Sequence, residues 1–434
     1  MKKTSKKSLL IYAHYYYPDV ASTAQILQEL AESLSESFDV KVISAVPSYG
    51  GTVMKKYQEK AYYIEEVNGV TVIRVKVPSF DKNKKFSRVK NILAYFFRAA
   101  CVTRKAGKAD VVFAVSQPPV LGGLLGVWGS FLNRAKLVYN IQDFNPEQIS
   151  ATNYSNNKLM LKLLAWIDKR TCRKADKVIV VGRDMAEVLA KRFWGRRGIP
   201  GRGMPAYSVI NNWVNEKEVF PLPKDDPHVT AFREQYDLQN KFVIMYSGNL
   251  GLYYDLENIL SVIADLCGND RKPLLTHDGR RVAFVFVGEG VLGNRMKEFV
   301  RKRALSDVVF IPYQNKENLN YSLNAADVHW CINAKGIKGV SVPSKIYGIL
   351  AAGKPIIGVQ EKNSEAYRIV EKTRCGLLSE PGDREKLFEN VNWFIEQSGK
   401  AQIDEMGKRG REYLVDCLTK EISVGKYKKE LNSL

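Results

Sequence analysis

The stretch Phe242–Asp255 reads FVIMYSGNLGLYYD. A β-rich apolar run ends in Ser247-Gly248-Asn249-Leu250-Gly251, and a helical pattern begins at Asp255-Leu256. Glycines at a strand-to-helix turn let the backbone approach a phosphate, and the helix N-terminus adds roughly half a positive charge. The same glycines would also suit an ordinary βα turn that only needs strain relief. The spacing does not meet the Gly-x-Gly-x-x-Gly fingerprint of a dinucleotide fold. A second stretch, Val340–Pro355, reads VSVPSKIYGILAAGKP. Pro343 and Ser344 suit a helix start, which puts Lys345 in the first turn. A lysine there works against the helix dipole, which favours acids at that end. A diphosphate would give that cation a reason; a solvated lysine is the plain alternative.

Three further strand ends carry polar groups. Val285-Phe286-Val287 ends in Gly288-Glu289-Gly290, and Phe310-Ile311 ends in Pro312-Tyr313. Tyr313 would sit where a base edge could stack, or be a half-buried loop tyrosine. Asp143 follows the apolar run Leu137–Ile141 and precedes Pro146. It could orient or help deprotonate an acceptor hydroxyl, or cap the helix after Pro146.

These groups need a scaffold, and the pattern predicts one of the α/β class. Short apolar runs at Leu9–Ala13, Val40–Ser44, Val70–Val75, Val111–Val115, Leu137–Ile141 and Val178–Val181 alternate with helical patterns. Those fall at Thr23–Ser37, Arg88–Lys105, Leu121–Asn133, Leu159–Lys174 and Met185–Arg192. Alternation of this kind implies a mostly parallel sheet with helices on both faces. A Gly-, Pro- and Arg-rich break at 194–206 and a polar break at 221–227 follow. A second series of strands then starts at Phe242–Ser247 and runs to Gly376–Leu378. With 434 residues, beyond the roughly 250–300 that one core supports, two domains are expected. They are placed at 1–205 and 206–434, with the last helix crossing back to the first. Each is doubly wound and Rossmann-like. Facing each other across a cleft, they would suit a two-substrate transfer with water partly excluded.

Composition narrows the classes. Six cysteines lie at least 42 residues apart and the four histidines are scattered, so neither a zinc site nor a disulfide framework is expected. The basic start MKKTSKK precedes a short apolar run and reads as the lead into a first strand, not an export signal. The longest apolar stretch, 111–132, is broken by Gln117-Pro118-Pro119 and Gly122-Gly123, and reads as a strand, a turn and a buried helix. Net charge is +20: residues 1–215 hold 34 Lys and Arg against 16 Asp and Glu, while 216–434 hold 32 against 30. The N-terminal half therefore favours an anionic partner, whether lipid, nucleic acid or a phosphorylated acceptor.

Five pieces in order resemble the retaining family 4 glycosyltransferases of the GT-B fold, and are closest to the subgroup that acts in bacterial surface-polysaccharide assembly. They are YYYPDVASTAQILQELAESL, YNIQDFNPEQ, YSGNLG, VPSKIYGILAAGKPI and CGLLSEPGD. The resemblance implies transfer of a hexosyl or N-acetylhexosaminyl group, with retention, from a nucleotide-diphosphate sugar. UDP is the expected nucleotide, and the acceptor would be a lipid-linked glycan or oligosaccharide. On the donor side it implies Gly248, Asn249, Leu250 and Gly251 at the diphosphate, with Pro343, Ser344 and Lys345. Glu289 and Tyr313 would border the nucleoside, and Ser364 and Glu365 the sugar. On the acceptor side it implies His14, Tyr17, Ser22, Thr23 and Gln117. Asp143 and Lys345 are the candidate catalytic groups. No metal and no cofactor is implied, the nucleotide sugar being a substrate and no Asp-x-Asp being present. Two departures stand out. Val340 and Gly348 occupy positions where many members carry glutamates, and Ala21-Ser22-Thr23-Ala24 replaces a first-loop Gly-Gly pair.

In 82–108, Leu93, Phe96, Phe97 and Ala100 recur at helical spacing among Arg88, Lys90, Arg98, Arg104 and Lys105. Such a helix would lie on an anionic membrane surface, joined by Trp194-Gly195-Arg196-Arg197, or would turn its apolar stripe to the core. The expected setting is the inner face of a plasma membrane. Rival readings are a nucleotide-sugar 2-epimerase of the same fold and a basic nucleic-acid- or membrane-binding protein. No nucleic-acid recognition motif is present, so no such partner is expected.

Overall fold

The computed structural model describes residues 6–81, 84–151, 157–193, 203–268 and 273–434. The Trp194–Arg197 cluster lies outside them. The chain divides into two units. The first comprises the residues up to Asn211 together with Gly339–Ser341 and Ser423–Leu434; the second comprises Asn212–Lys338 and Val342–Ile422.

In the first unit the strands are β1 (Lys7–Ala13), β2 (Phe38–Ala45), β3 (Tyr62–Val67), β4 (Val70–Val75), β5 (Val111–Val115), β6 (Lys136–Ile141), β7 (Lys177–Val180) and β8 (Tyr207–Val209). They form one sheet in the order β3-β4-β2-β1-β5-β6-β7-β8. All neighbours are parallel except the β3–β4 hairpin. Sequence reading passed over β3. Its signal was Asn68-Gly69, whose φ angles of 49° and 80° make the tight turn that twisted hairpins favour.

The helices of this unit are α1 (Ser22–Ser35), α2 (Lys85–Val102), α3 (Leu121–Asn133), α4 (Asn145–Ala151), α5 (Lys158–Lys174) and α6 (Arg183–Phe193). In α1 the buried positions Ala24, Leu27, Ala31 and Leu34 follow the helical period. Arg192 of α6 pairs with Asp168 of α5 and Glu147 of α4. The buried Asp168 also accepts from the Tyr139 hydroxyl at 2.7 Å, so one network ties three helices to β6.

Helix α3 is the largely buried helix that its apolar sequence predicts, but its inner face is mostly glycine: Gly122, Gly123, Gly126 and Gly129 lie there with Leu125. A Cβ on Gly126 would stand 2.6 Å from the Ala114 Cβ, and one on Gly129 would stand 2.6 Å from the Tyr12 hydroxyl oxygen. With its inner face so thin, the helix sits close to β5 and β6, and Trp128 and Phe131 are left exposed.

In the second unit the strands are β9 (Lys241–Ser247), β10 (Arg281–Val287), β11 (Val308–Ile311), β12 (Val328–Ile332), β13 (Ile356–Val359) and β14 (Gly376–Ser379). They run parallel in the order β11-β10-β9-β12-β13-β14. Its helices are α7 (Pro227–Gln235), α8 (Leu256–Cys267), α9 (Gly293–Arg303), α10 (Leu319–Asn324), α11 (Lys345–Ala351), α12 (Glu365–Thr373), α13 (Arg384–Glu396), α14 (Ala401–Cys417) and α15 (Lys420–Asn432). The strands read as continuous apolar runs because helices cover both faces. Phe242, Ile244 and Tyr246 face a core with α8 and α13, while Val243 and Met245 face one with α7. The C-terminal part of α15 belongs to the first unit, where the Tyr427 hydroxyl accepts from Asn140 and Glu430 pairs with Lys177.

The close seat of α3 gives a direct test. Gly126→Val should destabilise the protein by about 1–3 kcal/mol through overpacking against Ala114 and Leu137, read as a lower denaturation midpoint in urea.

Candidate functional site

Ligands of open parallel sheets bind beyond the carboxyl ends of the strands, where the strand order reverses. In the second unit that reversal lies between β9 and β12, the two strands whose following loops carry the Gly248 turn and α11. The turn extends the sheet. Gly248 N donates to Val287 O at 2.8 Å, and Leu250 N donates to Glu289 O at 2.9 Å. The two chains come so close that only glycine fits between them. A Cβ on Gly288 would stand 2.1 Å from the Gly248 carbonyl oxygen, and one on Gly290 would stand 2.3 Å from that of Leu250. Gly248 and Gly288 also hold φ angles of 144° and 129°, a region that side-chain-bearing residues rarely adopt.

Lys345 closes over this turn. A Cβ on Gly248 would fall 2.3 Å from the Lys345 Cε and 3.2 Å from its Nζ. The ammonium group stands 3.6 Å from the centre of the Tyr254 ring and 5.1 Å from that of Tyr246. Ring faces hold a cation without neutralising it, as a carboxylate would. No ion pair joins Lys345 to a carboxylate among the described residues. The Tyr246 hydroxyl in turn donates to Asn249 O at 2.7 Å and fixes the turn. Helix α8 starts just beyond with no side-chain cap. The Asp255 carboxylate is turned aside, accepting from Asn258 and from Gly382 N at 3.1 and 3.2 Å. The result is a cation, glycine backbone and an uncapped helix start in one place.

The other donor-side candidates take different positions. Leu250 is a core residue, so only its backbone faces the turn. Glu289 and Tyr313 are exposed, Pro343 is buried and Ser344 is exposed at the start of α11. Ser364 is buried and caps α12 by accepting from Tyr367 N at 3.3 Å; Glu365 beside it is buried in the first turn. Sequence reading missed three contributors. Tyr246 and Tyr254 cradle the lysine, and Glu361 accepts from Gly336 N and Lys338 N at 2.8 and 2.9 Å, which holds the loop leading to α11. Tyr254 lies inside the quoted glycine stretch, yet its partner is 91 positions away in sequence and nothing local marks it.

In the first unit the order reverses between β1 and β5. His14 follows β1, Gln117 follows β5 and Asp143 follows β6. Asp143 forms an isolated antiparallel bridge with Ser341, and the Ser341 and Gln117 side chains act on its carboxylate to lower its pKa against burial. Residues 339–341 are tied to this unit by Gly339 N donating to Asp184 at 2.8 Å and Phe144 N donating to Val340 O at 2.9 Å. Val340 thus offers a backbone carbonyl. Ser116 Oγ accepts from Gln142 N and Asp143 N at 3.1 and 3.3 Å, which joins the ends of β5 and β6. His14 is buried between Tyr15 and Tyr95, with ring centres 4.1 and 4.7 Å away. Burial lowers its pKa to about 3 against a smaller raising effect of the Asn91 side chain, so the ring is neutral at pH 7. Tyr17 and Ser22 are exposed and Thr23 is half-buried, all near the start of α1.

Comparison with known proteins identifies the class. Residues 23–199 match the glycosyl transferase 4-like domain family, and residues 229–413 match the glycosyl transferases group 1 family. The chain is a glycosyltransferase of the GT-B fold. It is 28% identical over 361 residues to a probable glycosyltransferase, WbjE, of Pseudomonas aeruginosa, covering 81% of this chain and 82% of that one. It is 24% identical over 375 residues to WcaI of Escherichia coli, a putative colanic acid biosynthesis glycosyl transferase, covering 84% and 86%. The fold matches that of Anabaena HepE in complex with UDP, with a TM-score of 0.68 at 16% identity over 99% of this chain and 100% of that one. These matches are to transferases; the epimerase alternative is not favoured.

Burial raises the Asp143 pKa, against the lowering effect of the Ser341 and Gln117 side chains. Its ionised form therefore costs the fold stability. The contribution of this group is favourable below the ordinary carboxylate pKa and is lost as pH rises through the raised value. Asp143→Asn should accordingly melt higher than the wild type at pH 7, with the gap closing near pH 3. Thermal melts of the two proteins across that range check it, and a gap that is independent of pH would refute the assignment.

Proposed function

We propose that the protein transfers a sugar, with retention of configuration, from a UDP-sugar to a lipid-linked or oligosaccharide acceptor of a surface polysaccharide. One observation carries the donor half of this reading: the Lys345 ammonium lies against Gly248, unpaired with any described carboxylate, beside an uncapped helix start. The chemistry asks for such a place. The bond between the anomeric carbon and the β-phosphate oxygen breaks, and its electron pair leaves with the nucleoside diphosphate. Fixed positive charge and backbone N–H groups stabilise that growing charge by several kcal/mol, on the order of 3 for a single donor. Asn249 and Gly251 supply backbone, and Lys345 supplies charge. On displacement by a diphosphate, the lysine exchanges two ring faces for phosphate oxygens. That is a gain, because a charged acceptor makes the stronger hydrogen bond.

On the acceptor side, the oxygen of an acceptor hydroxyl forms the new bond to the anomeric carbon and gives up its proton. Asp143 orients that hydroxyl or takes part in its deprotonation, which fits a buried carboxylate beside Ser341 at a strand end. Loss of such a group typically costs about 10²–10⁴-fold in rate. The UDP choice draws on the UDP complex of HepE, and the polysaccharide setting draws on WcaI.

Thermal melts against a panel of nucleoside diphosphates test the donor half. UDP at 100 times its dissociation constant should stabilise the protein by about 2.7 kcal/mol. Lys345→Ala should remain folded and lose most of that stabilisation. A variant that keeps the full UDP shift would refute the donor site. Asp143→Asn, by contrast, should bind UDP as the wild type does while its kcat falls about 10²-fold or more.

A further inference from the structure

We infer that the outer surface of α2, α3 and α5 is a docking face for an anionic lipid bilayer. The three helices lie side by side on one face of the first unit's sheet. Trp128 of α3 donates to Ala100 O of α2 at 3.1 Å, and Gly123 of α3 lies against Thr171 of α5. Each helix also turns large apolar side chains to solvent. On α2 the inward positions are Asn91, Tyr95 and Ala99, while Phe86 is 92% exposed and Phe97 is 61% exposed. On α3 the inward positions are Leu125 and the glycines that seat it, and Phe131 is 74% exposed. On α5, Leu159 is 79% exposed, and Trp166 lies under the Arg170 guanidinium at 4.3 Å. A cavity of about 640 Å³ joins the helices, lined by Phe96 and Ala100 of α2, Trp128 and Phe131 of α3 and Lys174 of α5. Isolated exposed apolar residues need no explanation, but large ones gathered on three neighbouring helices around one cavity mark an interaction surface.

Charge selects the partner. Helices α2 and α3 contain no Asp or Glu at all. Helix α5 contains only Asp168, which is buried and paired with Arg192. Exposed Arg88, Lys90 and Arg98 on α2, and Lys158, Lys162 and Arg170 on α5, have no carboxylate among them on these helices. A second copy of the chain would bring the same cations against one another, which an isologous interface cannot relieve. Anionic headgroups relieve it, with aromatic rings at headgroup depth and aliphatic groups below. No helix among the described residues is long and apolar enough to cross a membrane, so the face lies on the bilayer and does not span it.

Co-sedimentation with vesicles tests this, using the full chain and two lipid mixtures: neutral phosphatidylcholine, and phosphatidylcholine with about one-third phosphatidylglycerol. The expected result is binding to the anionic vesicles that weakens with salt, and little binding to the neutral ones. Each basic group near the surface contributes about fivefold to partitioning. Lys158→Ala with Lys162→Ala should therefore lower it about 30-fold, roughly the product of two such steps. Phe131→Ser with Leu159→Ser, both on exposed positions, should lower it while leaving thermal stability and the UDP shift intact. That shift separates failure of this inference from failure of the donor site. Equal binding to both vesicle types, binding unaffected by either variant pair, or no binding at all would overturn the inference. So would a self-association in sedimentation velocity that Phe131→Ser abolishes.

Discussion

The approach of the β9 and β10 chain ends, glycine against glycine, is the constraint on which the candidate donor site depends. Gly248 and Gly288 come within a distance that excludes any side chain. Two consequences follow from that one packing fact. The backbone of the turn is left bare where a ligand's phosphate would approach, and a slot opens over Gly248 that the aliphatic stem of Lys345 fills. The lysine is therefore positioned by the absence of a Cβ, not by a carboxylate. A carboxylate partner would fix the lysine equally well but would cancel the charge that an anionic leaving group needs. Tyrosine rings hold it and leave its charge available.

The same logic of a missing side chain recurs in the first unit with a different outcome. The glycines of α3 bring its backbone down onto β5 and β6, and apart from Leu125 its bulkiest residues, Trp128 and Phe131, lie on the outer side. In the second unit, missing side chains open a polar site at the strand ends. In the first, they push apolar groups out onto the helix layer. The net charge of +18 over residues 1–215 lies in the unit that carries this apolar face.

Much of this was legible in the sequence. Strands such as Val111–Val115 and Val328–Ile332 announce themselves as unbroken apolar runs, because a parallel sheet covered on both faces has no polar side to show. The glycine turn at 248–251 and the lysine at 345 were readable as chemistry, since each breaks a local expectation. Other features were not. The six residues of β3 alternate weakly and needed the Asn68-Gly69 turn to be noticed. Helix α7 begins at Asp226-Pro227, where the Asp226 side chain accepts from His228 N and Val229 N, a start signal that the surrounding polar residues masked. The apolar stripe of α2 was visible, but periodicity gives a stripe and not the direction in which it faces. Direction depends on what else can fill the core, and here Tyr95 and Ala99 do so.

The Asp143 cluster shows why a site residue can be named from sequence and still lack its environment. The position after β6 marks a carboxylate at a strand end. Its neighbours come from far along the chain: Gln117 after β5, and Ser341 from a three-residue segment that packs with the first unit although the residues on either side of it belong to the second. That segment also carries Val340, where a family glutamate is expected. Its carbonyl is engaged by Phe144 N and its side chain is buried. A glutamate at 340 would bring a charge into that buried position beside Asp143, where two carboxylates would raise each other's pKa. The apolar residue at 340 and the acid at 143 are therefore two parts of one local arrangement, and the loss of the family glutamate is consistent with keeping Asp143 as the carboxylate at this strand end.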